Sequence, residues 1–179
     1  LGEENPSGKL TMSFPQNVGQ CPIYYNHYNT GRPHITNLRY VSRYQDIPTE
    51  SFYPFGYGLS YCDFKYIEMY LNKHIISKND KITVTVKIKN KSHYEGYEVI
   101  QLYIQDLYGS VVRPIKELKA FKKEYFSQYE TKYVNFDIDI DMLKFWNDKL
   151  EYTAESGTFK VFVGGDSVNV LEDNFELIM

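Results

Sequence analysis

The chain is expected to be mainly β, an antiparallel sandwich of immunoglobulin-like type preceded by an irregular N-terminal extension. Three observations predict this. From residue 63 onward, apolar and polar residues alternate in short runs, as they do in strands with one buried face. About seven such runs are separated by turn-forming residues at short intervals, which is the spacing of a two-sheet sandwich. None of them alternates with a long helical pattern, so a parallel α/β sheet is disfavoured.

Residues 1–61 hold six of the seven prolines and little sustained periodicity. Proline fixes one backbone angle and removes a donor, so this stretch reads as irregular polypeptide that must lie against something. Within it, residues 9–14 read as a short strand. Residues 64–70 are the first strand of the sandwich. Ile82, Val84, Val86 and Ile88 then point one way, with Thr83, Thr85, Lys87 and Lys89 the other. After a turn near residues 90–96, Ile100, Leu102 and Ile104 repeat the pattern. Residues 116–126 supply a further strand. Val134, Phe136, Ile138 and Ile140 face inward next, with Asn135, Asp137 and Asp139 outward. Residues 141–146 read as one helical turn with Asp141 as N-cap. Phe159, Val161 and Val163 form the final strand, closed by Gly164 and Gly165. The expected core is Ile82, Val84, Val86, Ile100, Leu102, Ile104, Phe136, Ile138, Phe159 and Val161. The stretch after residue 62 is long enough to bury it independently.

At 179 residues the chain allows one domain, or one domain plus an extension. A net charge of −3 leaves no basic footprint for nucleic acid. No apolar run approaches the ~20 residues needed to span a bilayer as a helix, so no membrane partner is expected. Cytoplasmic and secreted locations both stay open. The sequence opens Leu-Gly-Glu-Glu without Met, so it is expected to be a piece of a longer polypeptide. Cys21 and Cys62 are too few for a disulfide scaffold and are expected free, with a bridge between them left open. The chain has 18 Tyr and 11 Phe. Aromatics favour strands, and an exposed cluster of them could also stack on sugar rings.

The segment Tyr53-Pro54-Phe55-Gly56-Tyr57-Gly58-Leu59-Ser60-Tyr61 packs rings and glycines too densely for regular structure. Asn5-Pro6-Ser7-Gly8-Lys9-Leu10 with Ser13-Phe14-Pro15 precedes it, as does Pro22-Ile23-Tyr24-Tyr25-Asn26-His27 with Asn29-Thr30-Gly31-Arg32-Pro33. Glu98-Val99-Ile100-Gln101-Leu102-Tyr103, then Arg113-Pro114-Ile115-Lys116-Glu117-Leu118-Lys119-Ala120-Phe121, then Gly157-Thr158-Phe159 and Val163-Gly164-Gly165-Asp166 follow. In this order the strings resemble glycoside hydrolase family 3 enzymes, the β-glucosidases and their relatives. Thr11 and Ala120 depart from the family's usual Pro and Gly, at positions that touch no chemistry. The resemblance implies a tail of an α/β sandwich domain plus linker over residues 1–61, and a fibronectin type III-like domain over residues 62–179. It also implies a parent enzyme that hydrolyses terminal non-reducing β-D-glucosyl residues with retention, with a β-linked glucoside or oligosaccharide as substrate. Its partners would be the upstream catalytic domains of the same polypeptide. The family's nucleophilic Asp and acid/base Glu lie upstream of the matching segments, so no catalytic residue carries over and the piece alone is expected to be inactive. Its expected role is a structural buttress that shapes the rim of the sugar site.

The residues agree. Retaining hydrolysis needs two carboxyls about 5 Å apart, one of them desolvated. Glu3 and Glu4 sit in a loop, and Asp137, Asp139 and Asp141 read as a solvated strand face. His27, Asn29 and Arg32 are the candidate rim residues, able to hydrogen-bond sugar hydroxyls or to satisfy backbone groups of an irregular segment. His34, His74 and His93 are scattered without metal-ligand spacing, so no metal and no cofactor is expected. Gly164 and Gly165 are not a phosphate loop, and Ser51 and Ser60 lack a nucleophile-elbow setting. The alternative is a free-standing carbohydrate-binding or protein-interaction module, which a planar strip of exposed aromatic residues would favour. Phe14, Ile23, Tyr24 and Tyr25 are expected to be exposed on the arm and to promote a homo-oligomer.

Overall fold

Alternation along the later two thirds of the chain folds into two facing sheets. The computed structural model describes residues 2–33, 38 and 40–179. In chain order the strands are β1 (Phe64–Leu71), β2 (Ile75–Ser77), β3 (Ile82–Asn90), β4 (Gly96–Asp106), β5 (Glu117–Phe126), β6 (Thr131–Ile138), β7 (Phe145–Trp146), β8 (Tyr152–Thr153), β9 (Gly157–Gly164) and β10 (Val170–Ile178). One sheet has the order β1-β3-β6 and the other β2-β10-β9-β4-β5, while β7 and β8 form a separate hairpin. Among the described residues, only β2 with β10 pairs parallel.

Register places inward side chains opposite one another. Val84 pairs with Phe136 and Val86 with Val134 in the first sheet. Leu102 pairs with Val163 and Ile104 with Val161 in the second. All ten expected core residues are buried, none more than 3% exposed. Side chains of both sheets join in one apolar cluster, where Phe159 stacks on Phe175 at 5.4 Å.

The structure differs from expectation at three places in this order. Residues 9–14 are not a strand. A single bridge joins Phe14 to Tyr53, with Leu10 N–H donating to the Tyr57 carbonyl and Gly56 N–H to that of Leu10, both at 2.8 Å. Pro15 and Pro54 lack the donors that a longer ladder would need. The helical turn is α1 (Ile140–Leu143), capped by Asp139, whose carboxylate accepts from Met142 N–H at 3.2 Å. Asp141 lies in its first turn, 2.6 Å from Lys144. Asp137 is therefore the only one of the three aspartates in a strand, Ile140 belongs to the helix, and Phe145 and Trp146 form a strand. Gly164 and Gly165 do not close the fold either, because β10 follows and inserts between β2 and β9. As expected, both cysteines are free thiols, Cys21 exposed and Cys62 buried.

The irregular arm lies on the outer face of the five-stranded sheet. Tyr25 stacks on Phe55 at 4.2 Å and meets Tyr103 of β4 edge-on at 5.8 Å. Leu118 N–H donates to the Tyr25 hydroxyl at 3.2 Å. Ile115 N–H donates to the His27 carbonyl at 3.0 Å and Ser167 N–H to the Phe55 carbonyl at 2.9 Å. Phe14 and Tyr24 are exposed as expected, but Ile23 and Tyr25 are half-buried, because the arm finds its apolar partner on the sandwich itself.

Candidate functional site

A short 3₁₀ turn, Val18–Gln20, closes the base of the loop that carries the rim candidates. Buried Gln20 accepts from Gln16 N–H at 2.6 Å and donates to the carbonyls of Pro48 and Glu50 at 2.9 and 3.3 Å. This carboxamide satisfies backbone groups at both ends of the loop, which irregular polypeptide requires.

His27 and Asn29 line one cavity of about 460 Å³ between the arm and the β4–β5 connection, together with Thr30, Ser42, Glu50 and Gln105. Arg32 is exposed and is not among the lining residues; its carbonyl accepts from Ser42 N–H at 2.9 Å. The structure therefore brings two of the three candidates together. Asn29 already uses its side-chain oxygen on Gly31 N–H at 3.1 Å, holding Gly31 at φ +74. His27 Nδ1 lies 3.0 Å from the Tyr28 carbonyl. His34 lies outside the described residues. His74 contacts the Asn174 carbonyl at 2.8 Å and His93 packs on Tyr94, so these two serve separate local contacts.

Beneath the arm lies a polar cluster that sequence reading did not single out. Gln101 donates to the carbonyls of Gly165 at 2.6 Å and Gly56 at 3.3 Å, and accepts from the Tyr103 hydroxyl. Burial raises the Tyr103 pKa above the usual phenol range. Lys116 donates to the Ser167 carbonyl at 2.7 Å. Its ammonium stands 4.2 Å from the Phe162 ring centre, and burial lowers its pKa to about 8. On their strands Gln101 and Tyr103 occupy the polar, outward phase, which reads as solvated. Only the aromatic density of residues 53–57 signalled that something covers them.

Among the described residues, three carboxylates are buried. Glu98 holds Lys9 at 3.2 Å and accepts from the Tyr66 hydroxyl at 3.0 Å. Burial raises its pKa, against the pull of Lys9, Tyr66 and Val99 N–H. Asp106 accepts from Tyr108 N–H at 3.2 Å and lies 3.8 Å from Arg113. Burial is again the main cause of its raised pKa. Arg113 in turn spans Glu117, at 2.6 Å, and the Phe145 ring. Asp166 accepts from Val168 and Asn169 N–H at 2.8 and 2.7 Å. Each of these groups holds a cation, a hydroxyl or the backbone. The inward phase of Glu98, two residues before Ile100, was the legible sign of a buried charge with a partner.

The exposed aromatic pairs of the sandwich are tilted. Tyr97 meets Tyr125 at 67° and Trp146 meets Tyr152 at 45°, so neither pair offers a flat sugar platform.

A family profile described as a fibronectin type III-like domain matches residues 98–167. A periplasmic β-glucosidase of Salmonella typhimurium is 47% identical over 99% of this chain and 24% of its own length. The chain contains a fibronectin type III-like domain and is similar along nearly its whole length to a β-glucosidase. A putative β-xylosidase of Formosa agariphila is 39% identical over 99% of the chain and 22% of its own length. Among solved structures, β-glucosidase from Listeria innocua in complex with gluconolactone superimposes with a TM-score of 0.89 at 46% identity, over 98% of this chain and 25% of that one. The chain thus spans about a quarter of the length of the relatives it matches. The fibronectin type III-like match runs from β4 to just beyond β9, while the likeness to the β-glucosidases takes in the arm as well.

Proposed function

We propose that the chain is the C-terminal part of a retaining β-glucosidase acting on terminal non-reducing β-D-glucosyl residues, in which it buttresses the upstream catalytic domains. The observation that carries this reading is the likeness to β-glucosidases along 99% of the chain, arm included, by proteins three quarters of which lie outside it. A second feature supports the buttress role. Leu10, Phe14, Tyr53, Tyr57 and Leu59 line an apolar cavity of about 510 Å³ on the arm, and Met12 and Phe52 are exposed as well. An uncovered apolar band of this kind is a contact surface, and the upstream domains of the same polypeptide are its occupant. The cavity holding His27 and Asn29, with Arg32 outside it, is the part of the arm that would reach the sugar-site rim.

The test is complementation. The purified chain alone should not turn over aryl β-glucosides. Mixed with the upstream portion, it should restore thermal stability or activity to that portion. Turnover by the isolated chain that disappears when one of its own carboxylates is mutated would overturn the fragment reading. An upstream portion that is fully stable and active alone would overturn the buttress role. In the whole enzyme, His27→Ala and Asn29→Ala should raise KM for β-linked oligosaccharides more than for aryl glucosides.

A further inference from the structure

Lys116 ties three separate segments together. Its backbone neighbour Ile115 holds the His27 carbonyl, its own ammonium holds the Ser167 carbonyl, and Ser167 N–H holds the Phe55 carbonyl. The two arm contacts, at residues 27 and 55, are thus made by backbone amides on either side of the Lys116 side chain, at Ile115 and Ser167. The surroundings of that ammonium are unusual for a lysine. Phe162 of β9 faces it at 4.2 Å and Tyr103 of β4 at 5.7 Å. Ser13, Tyr25, His27, Glu50 and Ser167 line the same cavity of about 270 Å³. The charged groups that act on it are Glu172 of β10, Asp166 of the turn before β10 and Lys160 of β9, and none of them hydrogen-bonds to it. The sandwich supplies the rings and the single carbonyl at the ammonium, and the docked arm walls the cavity on its remaining side with Ser13, Tyr25, His27 and Glu50, a side that an open arm would leave to bulk water.

We propose that Lys116 is a proton-linked latch, so that docking of the arm onto the sandwich is coupled to release of a proton from this side chain. The sign follows from the burial. With the arm open, Lys116 titrates near its ordinary value. With the arm docked, the pKa falls to about 8. The docked state then binds fewer protons than the open one between these two values, so docking strengthens as pH rises through that window. Below it, the ammonium is charged in both states and the burden of burying it is constant. The hydrogen bond to Ser167 survives deprotonation, because a neutral amine still donates. What is lost is the desolvated charge.

Hydrogen exchange of the Ser167 and Leu118 amides, normalised to their intrinsic rates, reads the docking directly in the intact chain. From about pH 7 to about pH 9, opening should become roughly three- to tenfold rarer in the wild type. Lys116→Met should abolish this pH response. Lys116→Arg stays charged throughout and should also be flat, with more frequent opening. A wild-type response matching that of Lys116→Met would overturn the latch. Should either variant fail to fold, NMR titration of the Lys116 side chain in the wild type decides, because an ordinary lysine midpoint there would refute the proposal.

Discussion

At Gly56 a hydrogen atom is all that fits in place of a side chain. The residue sits at φ +82, and a Cβ there would collide with the carboxamide of Gln101. That carboxamide also holds the Gly56 and Gly165 carbonyls, so it has no free direction in which to yield. Gly56→Ala should lower stability by more than about 2 kcal/mol, through strain at positive φ added to displacement of a buried hydrogen-bonded group. Gly8→Ala is the control, since nothing lies within 4 Å of a Cβ there; it should be near neutral in urea unfolding. Glu98 supplies a pH signature. Its folded pKa is raised, chiefly by burial, so the folded chain holds that proton more tightly than the unfolded chain does. Stability from this group is fullest below the ordinary glutamate range and falls as pH rises through that range to the raised value. Glu98→Gln should flatten this part of the stability–pH curve, measured by urea unfolding from about pH 4 to about pH 7.

Among the elements, β3 is the most committed to the core. It is the middle strand of its sheet, and Val86 lies between Met69 of β1 and Val134 of β6 with no exposure. Val86→Asp buries a charge without a partner and should cost about 3 kcal/mol or more, seen as a large fall in the urea midpoint. Strands such as this one were legible because one face is wholly apolar and the period of two is unbroken. β10 was not legible as a strand. Its first half, Val-Leu-Glu-Asp-Asn, breaks the alternation, and only Phe175 and Leu177 are fully buried. Helix α1 was placed but its cap was set two residues late. Asp139 and Asp141 are equally good caps by type, and the choice depends on Ile138 being the last inward residue of β6. The arm's partner could not be read at all. Tyr25 and Phe55 look like any exposed aromatic until Tyr103 and Leu118, far along the chain, are brought beneath them. For the same reason only part of the grouping of the rim candidates holds in the fold. Sequence neighbourhood groups His27, Asn29 and Arg32, but the loop's turn at Gly31 leaves Arg32 out of the lining of the cavity that the other two share.

For the molecule as a whole, the apolar band on the arm sets behaviour in solution. Met12, Phe14, Phe52, Tyr53 and Leu59 are all exposed, and such a band in an isolated chain favours self-association. Sedimentation velocity on the purified chain should show a concentration-dependent dimer or higher species, and Phe52→Ser with Leu59→Ser should shift it toward monomer. A monomer at every concentration, with a protease-resistant arm, would count against this. The way the arm crosses the five-stranded sheet has an evolutionary consequence too. Chains diversify by recombining domains, and an immunoglobulin-like sandwich is ordinarily a freely exchangeable unit. Here the links from Tyr25, His27 and Phe55 to Leu118, Ile115 and Ser167 make the arm an outer layer of the sandwich. A graft begun at Cys62 would arrive with Tyr103, Phe162 and the Lys116 amine stripped of their cover. Any hybrid that borrows this sandwich must inherit its leader from about Gly8 to Tyr57 from the same parent, so crossovers between relatives should survive upstream of the arm and fail within it.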